Sequence, residues 1–280
     1  SLYQAFAAAM SQIGAAQLNK PNLIWFHSRG MYGPWDAPLA LQETLLDEGD
    51  PPPIGSATPP DLELSSDHDP DVIFRYACAY AAQVMVLDSC CERLQDGLQT
   101  AEDEPWLAML IGCRGYPLGE HFRIGRVDPR LYAEQLHVPW LIRIPDGLGC
   151  LARSQALTSH HDLLPMLIDW IDRDATTDRA AFDGQSILPL ATAARTPWRE
   201  ALISTSPTAR AIRTAEWCLR EDLALSSKAN RSEEGEKFPQ PELYVRPDDR
   251  WEANDVAKLC PDVVHELRAR LIKTAHSARC

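Results

Sequence analysis

Between Pro70 and Gln99 apolar residues recur every three or four positions, at Ile73, Tyr76, Ala77, Tyr80, Val84, Leu87, Cys91, Leu94 and Leu98. That period belongs to a helix and not to a strand, and it predicts about eight turns with a single apolar stripe. Asp69-Pro70-Asp71 supplies the start, because proline is tolerated in a first helical turn. A stripe of this length has to be buried against other elements. The neighbouring sequence offers several. Residues 1–18 place Leu2, Phe6, Met10 and Ile13 on one helical face. Asn22 to Ser28 is a nearly continuous apolar run, suited to a buried parallel strand. Trp106 to Gly112 and His137 to Ile144 read as two more strands. His161 to Ile171 reads as a helix turned inward through Leu163, Leu164, Leu167, Ile168 and Ile171.

Between these pieces lie a proline- and glycine-rich turn through Pro38, a short helix to about Asp47, and an acidic, proline-rich loop over 48–70. The texture changes after Pro197. Stretches at 200–205, 209–214, 216–222 and 241–246 carry strand-forming residues and predict a small antiparallel sheet. A polar loop at 225–240 interrupts it, and a helix from Pro261 to about Thr274 closes the chain. The expected fold is therefore α/β. A mainly parallel sheet flanked by helices occupies residues 1–205, and a small antiparallel sheet plus helix occupies 206–280.

Charge narrows the function. Lys and Arg number 27 against 40 Asp and Glu, a net charge of −13. A nucleic-acid groove needs clustered cations and is disfavoured. Any anionic ligand has to be met by a local basic cluster. The eight cysteines show no CxxC pair or zinc spacing and read as scattered thiols. No run of about 18 apolar residues exists, so no membrane span is expected. No signal peptide is seen either, which implies a cytoplasmic protein if the chain is complete. A first residue Ser1 in place of Met points instead to sequence upstream.

Four stretches, in order, resemble the sulfatases of the alkaline phosphatase superfamily. The run Leu23-Ile24-Trp25-Phe26-His27-Ser28 into Gly30-Met31-Tyr32-Gly33-Pro34-Trp35-Asp36-Ala37-Pro38 resembles the family's apolar strand and His-x-Pro turn. The long helix with Tyr80, Val84 and Leu87-Asp88 is similar to the one before the family's late metal-binding strand. Leu110-Ile111-Gly112-Cys113-Arg114-Gly115, then Gly119-Glu120-His121 and His137-Val138-Pro139, resemble that strand and the segments after it. Ala211-Ile212-Arg213-Thr214, Glu242-Leu243-Tyr244 and Asp249-Arg250-Trp251-Glu252-Ala253-Asn254 resemble the closing sheet. The match runs over about residues 20–272.

The resemblance implies sulfuric ester hydrolysis. In that family Ca²⁺ or Mg²⁺ stabilises sulfate oxygens and activates a hydrated formylglycine nucleophile. Carried onto this chain, most of that machinery is missing. The nucleophile motif Cys-x-Pro-Ser-Arg and the early acidic strand are absent, as if the nucleophile segment lay upstream. Cys113 and Arg114 stand where the family has its Asp-His metal pair. Tyr32 stands at the His of the turn, and Arg126 at the late Lys. Guanidinium has no lone pair for a cation, and sulfur is a poor ligand for Ca²⁺ or Mg²⁺. No metal or other cofactor is expected in this chain.

Arg114 reads either as a fixed cation holding sulfate or phosphate oxygens, or as half of an ion pair in a decayed site. His121 reads as a retained binding residue or as part of a loop-fixing Gly-Glu-His. Arg123, Arg126 and Arg130 read as an anion-attracting run or a solvated loop. Cys113, beside Arg114, reads as a structural or a reactive thiol. His27 reads as a core residue, His160-His161 as capping residues, and Trp35 as core or a sugar platform. The expected binding set is Arg114, His121 and Arg126, with a sulfated carbohydrate or other sulfate ester as ligand. The chain is expected to be a truncated, inactive hydrolase; alternatively a binder without turnover, or a remnant. With half a sheet missing, it should expose a strand edge that an N-terminal half or another chain would cover.

Overall fold

The computed structural model describes residues 2–15, 22–55, 58–99, 106–147, 149–171, 182–191, 198–223 and 240–277. The loop expected at 225–240 lies, but for its last residue, outside the described residues. In chain order the elements are α1 (Leu2–Ala15), α2 (Leu39–Glu43), β1 (Leu62–Glu63), α3 (Pro70–Gln99), β2 (Ala108–Ile111) and β3 (Arg123–Ile124). There follow α4 (Ala133–Leu136), β4 (Trp140–Arg143), α5 (Leu163–Ile171), α6 (Leu188–Ala191), β5 (Leu202–Thr205), β6 (Ala209–Arg213), β7 (Trp217–Asp222), β8 (Glu242–Val245) and α7 (Pro261–Ser277). Contacts divide the chain into two units. The first is Ser1–Trp106 with Arg114–Val127, the second Leu107–Cys113 with Asp128–Cys280.

The first unit is assembled along α3. Val86 and Cys90 pack with Leu2 and Phe6 of α1, and Leu41 of α2 joins them. Ala79 packs with Trp35 and Tyr116. The buried line is Ala79, Ala82, Gln83, Val86 and Cys90, while Val84 is exposed. The stripe thus lies about one residue earlier than the apolar spacing predicts. Its centre is made of alanines and a glutamine, whose small or polar side chains hide the true phase. Gln83 is buried because it is satisfied: its Oε1 accepts from Ala37 N at 2.9 Å and its Nε2 donates to Asp36 Oδ1 at 3.3 Å.

Asn22 to Ser28 does not form the expected buried strand. The segment has no regular secondary structure and joins no ladder among the described residues, and Leu23 and Trp25 are 65% and 67% exposed. Among the described residues no strand lies beside this apolar run to complete a sheet, so it stays open. Phe26 lies edge-on to Phe6, with ring centroids 5.0 Å apart.

In the second unit β2 and β4 pair antiparallel, Ala108 opposite Arg143 and Ile111 opposite Trp140. Every ladder among the described residues is antiparallel, which corrects the mainly parallel expectation for these strands. Short apolar runs announce burial but not strand direction. In β4, Leu141 and Arg143 face solvent, the one-sided pattern of an antiparallel edge. The expected sheet near the C-terminus is present as the meander β5-β6-β7-β8. Its inner face buries Ile212, Leu219 and Leu243 against Leu267 and Leu271 of α7.

Asp162 anchors the entry to α5. It is fully buried, closes a capping box with Ser159, and accepts from Gln185 N at 2.9 Å. Arg199 Nη1 donates to it at 2.9 Å. Gly184 is required beside it, since a Cβ there would fall 2.0 Å from His161 O.

Two outcomes follow from this packing. Asp162→Ala removes one partner of a buried ion pair and should cost about 3–5 kcal/mol, read from the urea midpoint; a loss below about 1 kcal/mol would show that the pair behaves as a surface one. The exposed run should make this chain self-associate and bind an apolar dye. Leu23→Ser with Trp25→Ser should reduce both in light scattering and fluorescence, and a strictly monomeric, dye-silent parent would contradict the reading.

Candidate functional site

The open segment ends in a tight turn at Gly30–Tyr32, opened by Ser28 Oγ accepting from Gly30 N at 3.1 Å. The turn delivers Tyr32, whose hydroxyl donates to Gly115 O at 2.6 Å. That bond fixes the loop carrying Arg114, and the guanidinium lies over the Tyr32 ring with Cζ 4.1 Å from the centroid. The two positions, 82 residues apart in sequence, are therefore in contact.

An aromatic cluster backs this pair. Tyr116 meets Tyr32 at 5.2 Å, Tyr80 at 5.4 Å and Trp35 at 5.5 Å between ring centroids. Its hydroxyl donates to Pro60 O at 3.1 Å. Burial pushes the Tyr116 phenol well above its ordinary range, with the neighbouring Tyr32 adding to the shift. Tyr32 is also raised, chiefly by burial, with the Arg114 charge opposing. Both phenols are therefore neutral hydrogen-bond donors at pH 7. Trp35 is buried with its Nε1 donating to Met31 O at 2.8 Å, so it is core and offers no face to a sugar. Tyr116 was the residue that sequence reading missed. Nothing in Gly115-Tyr116-Pro117 marks it as the centre of a cluster built from three separate segments.

Arg114 itself is exposed. Among the described residues no carboxylate pairs with it, so the ion-pair reading is not what this structure shows. The basic run differs. Arg123 pairs with Asp61, and Arg126 Nε also approaches Asp61, 3.5 Å from Oδ2. Arg126 remains 77% exposed. Arg130 pairs with Asp128 at 2.6 Å in the other unit. The run thus carries less free charge than its arginines suggest, because Asp61, distant in sequence, answers two of them.

Gly119-Glu120-His121 forms a turn. Gly119 has φ 125° and sits where a Cβ would come within 2.8 Å of Ile73. Glu120 Oε2 accepts from Leu118 N at 2.7 Å, and His121 takes left-handed backbone angles at φ 49°. The motif fixes the loop, whatever else His121 does. His27 is exposed on the open segment, and is not a core residue. His160 Nε2 lies 2.8 Å from Gly112 O, a structural contact at the end of β2.

A hard cation would need oxygen or imidazole donors at the 113–114 step. Cys113 presents sulfur and Arg114 only N–H groups, so these residues do not fit Ca²⁺ or Mg²⁺. Among the described residues no group of three His, Cys, Asp or Glu side chains is arranged to hold a metal.

A family model described as Sulfatase matches residues 2–173. Comparison with curated proteins finds no match. Among solved structures, a Bacteroides fragilis protein provisionally named a sulfatase superposes with a TM-score of 0.67 at 15% identity, over 96% of this chain and 57% of that one. A phosphonate monoester hydrolase of Agrobacterium radiobacter gives 0.58 at 17% identity, over 80% and 44%. A protein solved with its substrate D-glucosamine-2-N,6-O-disulfate gives 0.54 at 20% identity, over 75% and 43%. The expected fold, α/β and sulfatase-like, is the one these structures share. The chain spans about half the length of the structures it matches.

The thiols give a direct check on the placement of Cys113. Cys113 and Cys150 are exposed, whereas Cys218 is buried and pushed up to about 12, mainly by burial. In native protein at pH 8, Cys113 and Cys150 should react promptly with a disulfide reagent, and Cys218 only after denaturation. Prompt native labelling of Cys218 would contradict the buried placement.

Proposed function

Because this chain belongs to the sulfatase family, we propose that these 280 residues bind a sulfate ester through Arg114 and do not hydrolyse it. The observation that carries the reading is the Arg114–Tyr32 stack. It holds an exposed guanidinium in place with no carboxylate to quench it among the described residues. A guanidinium fork matches two oxygens of a sulfate group, and aromatic stacking reduces the freedom lost on binding. Arg126, largely exposed beside Asp61, and His121 on its fixed turn complete the proposed binding set.

Hydrolysis needs more than a grip on the sulfate. The sequence lacks the formylglycine motif, and Cys113-Arg114 cannot replace an Asp-His pair toward a hard cation. Turnover by a longer polypeptide would need the nucleophile from elsewhere and a different ligand set for its metal. A sulfated amino sugar is the substrate class that a solved protein of this fold binds. It is the first ligand to try here.

Calorimetric titration with glucosamine 6-sulfate should give saturable binding that Arg114→Met weakens about tenfold or more, the loss of a charge-assisted contact. An aryl sulfate should release no sulfate, with or without added Ca²⁺ or Mg²⁺. Steady turnover by the chain alone would overturn the reading of the 113–114 step, and equal binding by Arg114→Met would remove Arg114 from the site.

A further inference from the structure

The outer face of the second unit's sheet carries arginines that the family-derived reading does not use. Register places Arg213 of β6 opposite Cys218 of β7, and Cys218 opposite Tyr244 of β8. Strand alternation puts these three on the face away from α7, together with Ala211, Arg220 and Glu242. Pairing continues past β8, since Arg246 N donates to Glu216 O at 2.7 Å. Two residues beyond Tyr244, Arg246 falls on the same face. Its Nη1 donates to Thr214 O at 3.0 Å, which brings its guanidinium to the residue following Arg213.

Most arginines of this sheet are neutralised. Arg210 pairs with Glu221, and Arg220 with Asp222 and with Glu242 at 3.0 Å. Arg213 is matched only in part. Its Nη2 donates to Leu131 O at 2.8 Å and to Glu252 Oε1 at 3.1 Å, but its Nη1 is buried and meets no acceptor among the described residues. An unsatisfied buried donor of this kind is costly and uncommon. Arg246 and Arg250 pair with no carboxylate among the described residues, and Arg250 lies over the Trp251 ring at 4.4 Å.

His137, directly after α4, closes the group. Ala133 N donates to Glu252 Oε2 at 2.8 Å, which holds α4 against this end of the sheet. Partial burial of the His137 ring, then the charges of Arg246, Arg213 and Arg250, hold its pKa below the ordinary value, with Glu252 opposing. Burial and Arg213 likewise lower Arg246. Arg213, Arg246 and His137 therefore lie within reach of Glu252, with Glu134 acting on Arg213 and Arg250 on His137. In a chain of net charge −13 this is a local excess of positive charge.

We propose that this end of the sheet is a second oxyanion site, taking a sulfate or phosphate group on Arg246 and the open Nη1 of Arg213, with His137 and Arg250 at its rim. A tetrahedral anion supplies the missing acceptor and separates two like charges, which neither a sugar hydroxyl nor a cation does. The site lies in the second unit and shares no residue with the Arg114 set.

The test is a titration of the whole chain with inorganic sulfate, inorganic phosphate and glucosamine 6-sulfate, following the His137 ring proton by NMR. A bound anion should raise the His137 pKa toward its ordinary value. Arg246→Met should abolish that shift and weaken binding about tenfold or more. Arg250→Gln, an exposed change that leaves the core alone, should weaken it several-fold, and Arg114→Met should leave it unchanged. Tighter binding of the sugar ester assigns the site to an ester and equal binding to the free ion; both sustain it. No movement of His137 with any of the three, or a shift that survives in folded Arg246→Met, overturns it. Loss of the His137 shift in folded Arg114→Met also overturns it, whereas glucosamine 6-sulfate affinity that Arg114→Met leaves unaltered speaks only against the first site.

Discussion

Ala79 and Ala82 leave so little side chain on one line of α3 that other segments can come close to its axis. The first unit uses that closeness repeatedly. Trp35 and Tyr116 pack on Ala79, Gln83 ties down the backbone of Ala37, and Ile73 fills the space that only a glycine at 119 leaves open. The turn bearing Tyr32 and the loop bearing Arg114 are thus both referred to a single helix. A guanidinium over a phenol ring needs placement within an ångström or so, and a rigid helix with tightly packed partners supplies it.

The chain handles positive charge in two ways. Some arginines are set between carboxylates and backbone carbonyls, as with Arg220 between Glu242, Asp222 and the Arg130 carbonyl. Such buried pairs hold only while both partners are present. Arg114 instead rests on an aromatic face, and among the described residues no carboxylate meets its hydrogen-bonding edge. Where the family resemblance implies a dication gripped by carboxylate and imidazole, this chain offers one fixed positive charge. Both arrangements attract an oxyanion. Only a dication also lowers the pKa of a nucleophile bound to it, the physical ground for proposing binding without turnover.

Some of this was plain in the residues. The period of 70–99 specified α3, and alternation after residue 200 located all four strands of the second unit's meander and the helix that closes it. The phase of α3 was not plain, because a stripe centred on Ala79, Ala82 and Gln83 has apolar flanks that look like its middle. Nor was the fate of Asn22 to Ser28. An apolar run states that burial is wanted, and only the presence of a neighbour decides whether it is granted. Asp61 is a similar case, one acid in a proline-rich loop that turns out to answer both Arg123 and Arg126.

What the sequence alone determined is chemical: cysteine and arginine at 113 and 114 cannot serve a hard cation, and no nucleophile motif is present, wherever the chain places them. What the tertiary structure decided is who neutralises whom. Among the described residues Arg114 is left with Tyr32 while Arg126 shares Asp61, and Arg213 keeps its Nη1 without an acceptor. Side-chain identity sets the available donors, acceptors and charges, and is written locally. Whether a charge is spent depends on distances of a few ångströms between residues that are tens of positions apart, and only the folded chain fixes those.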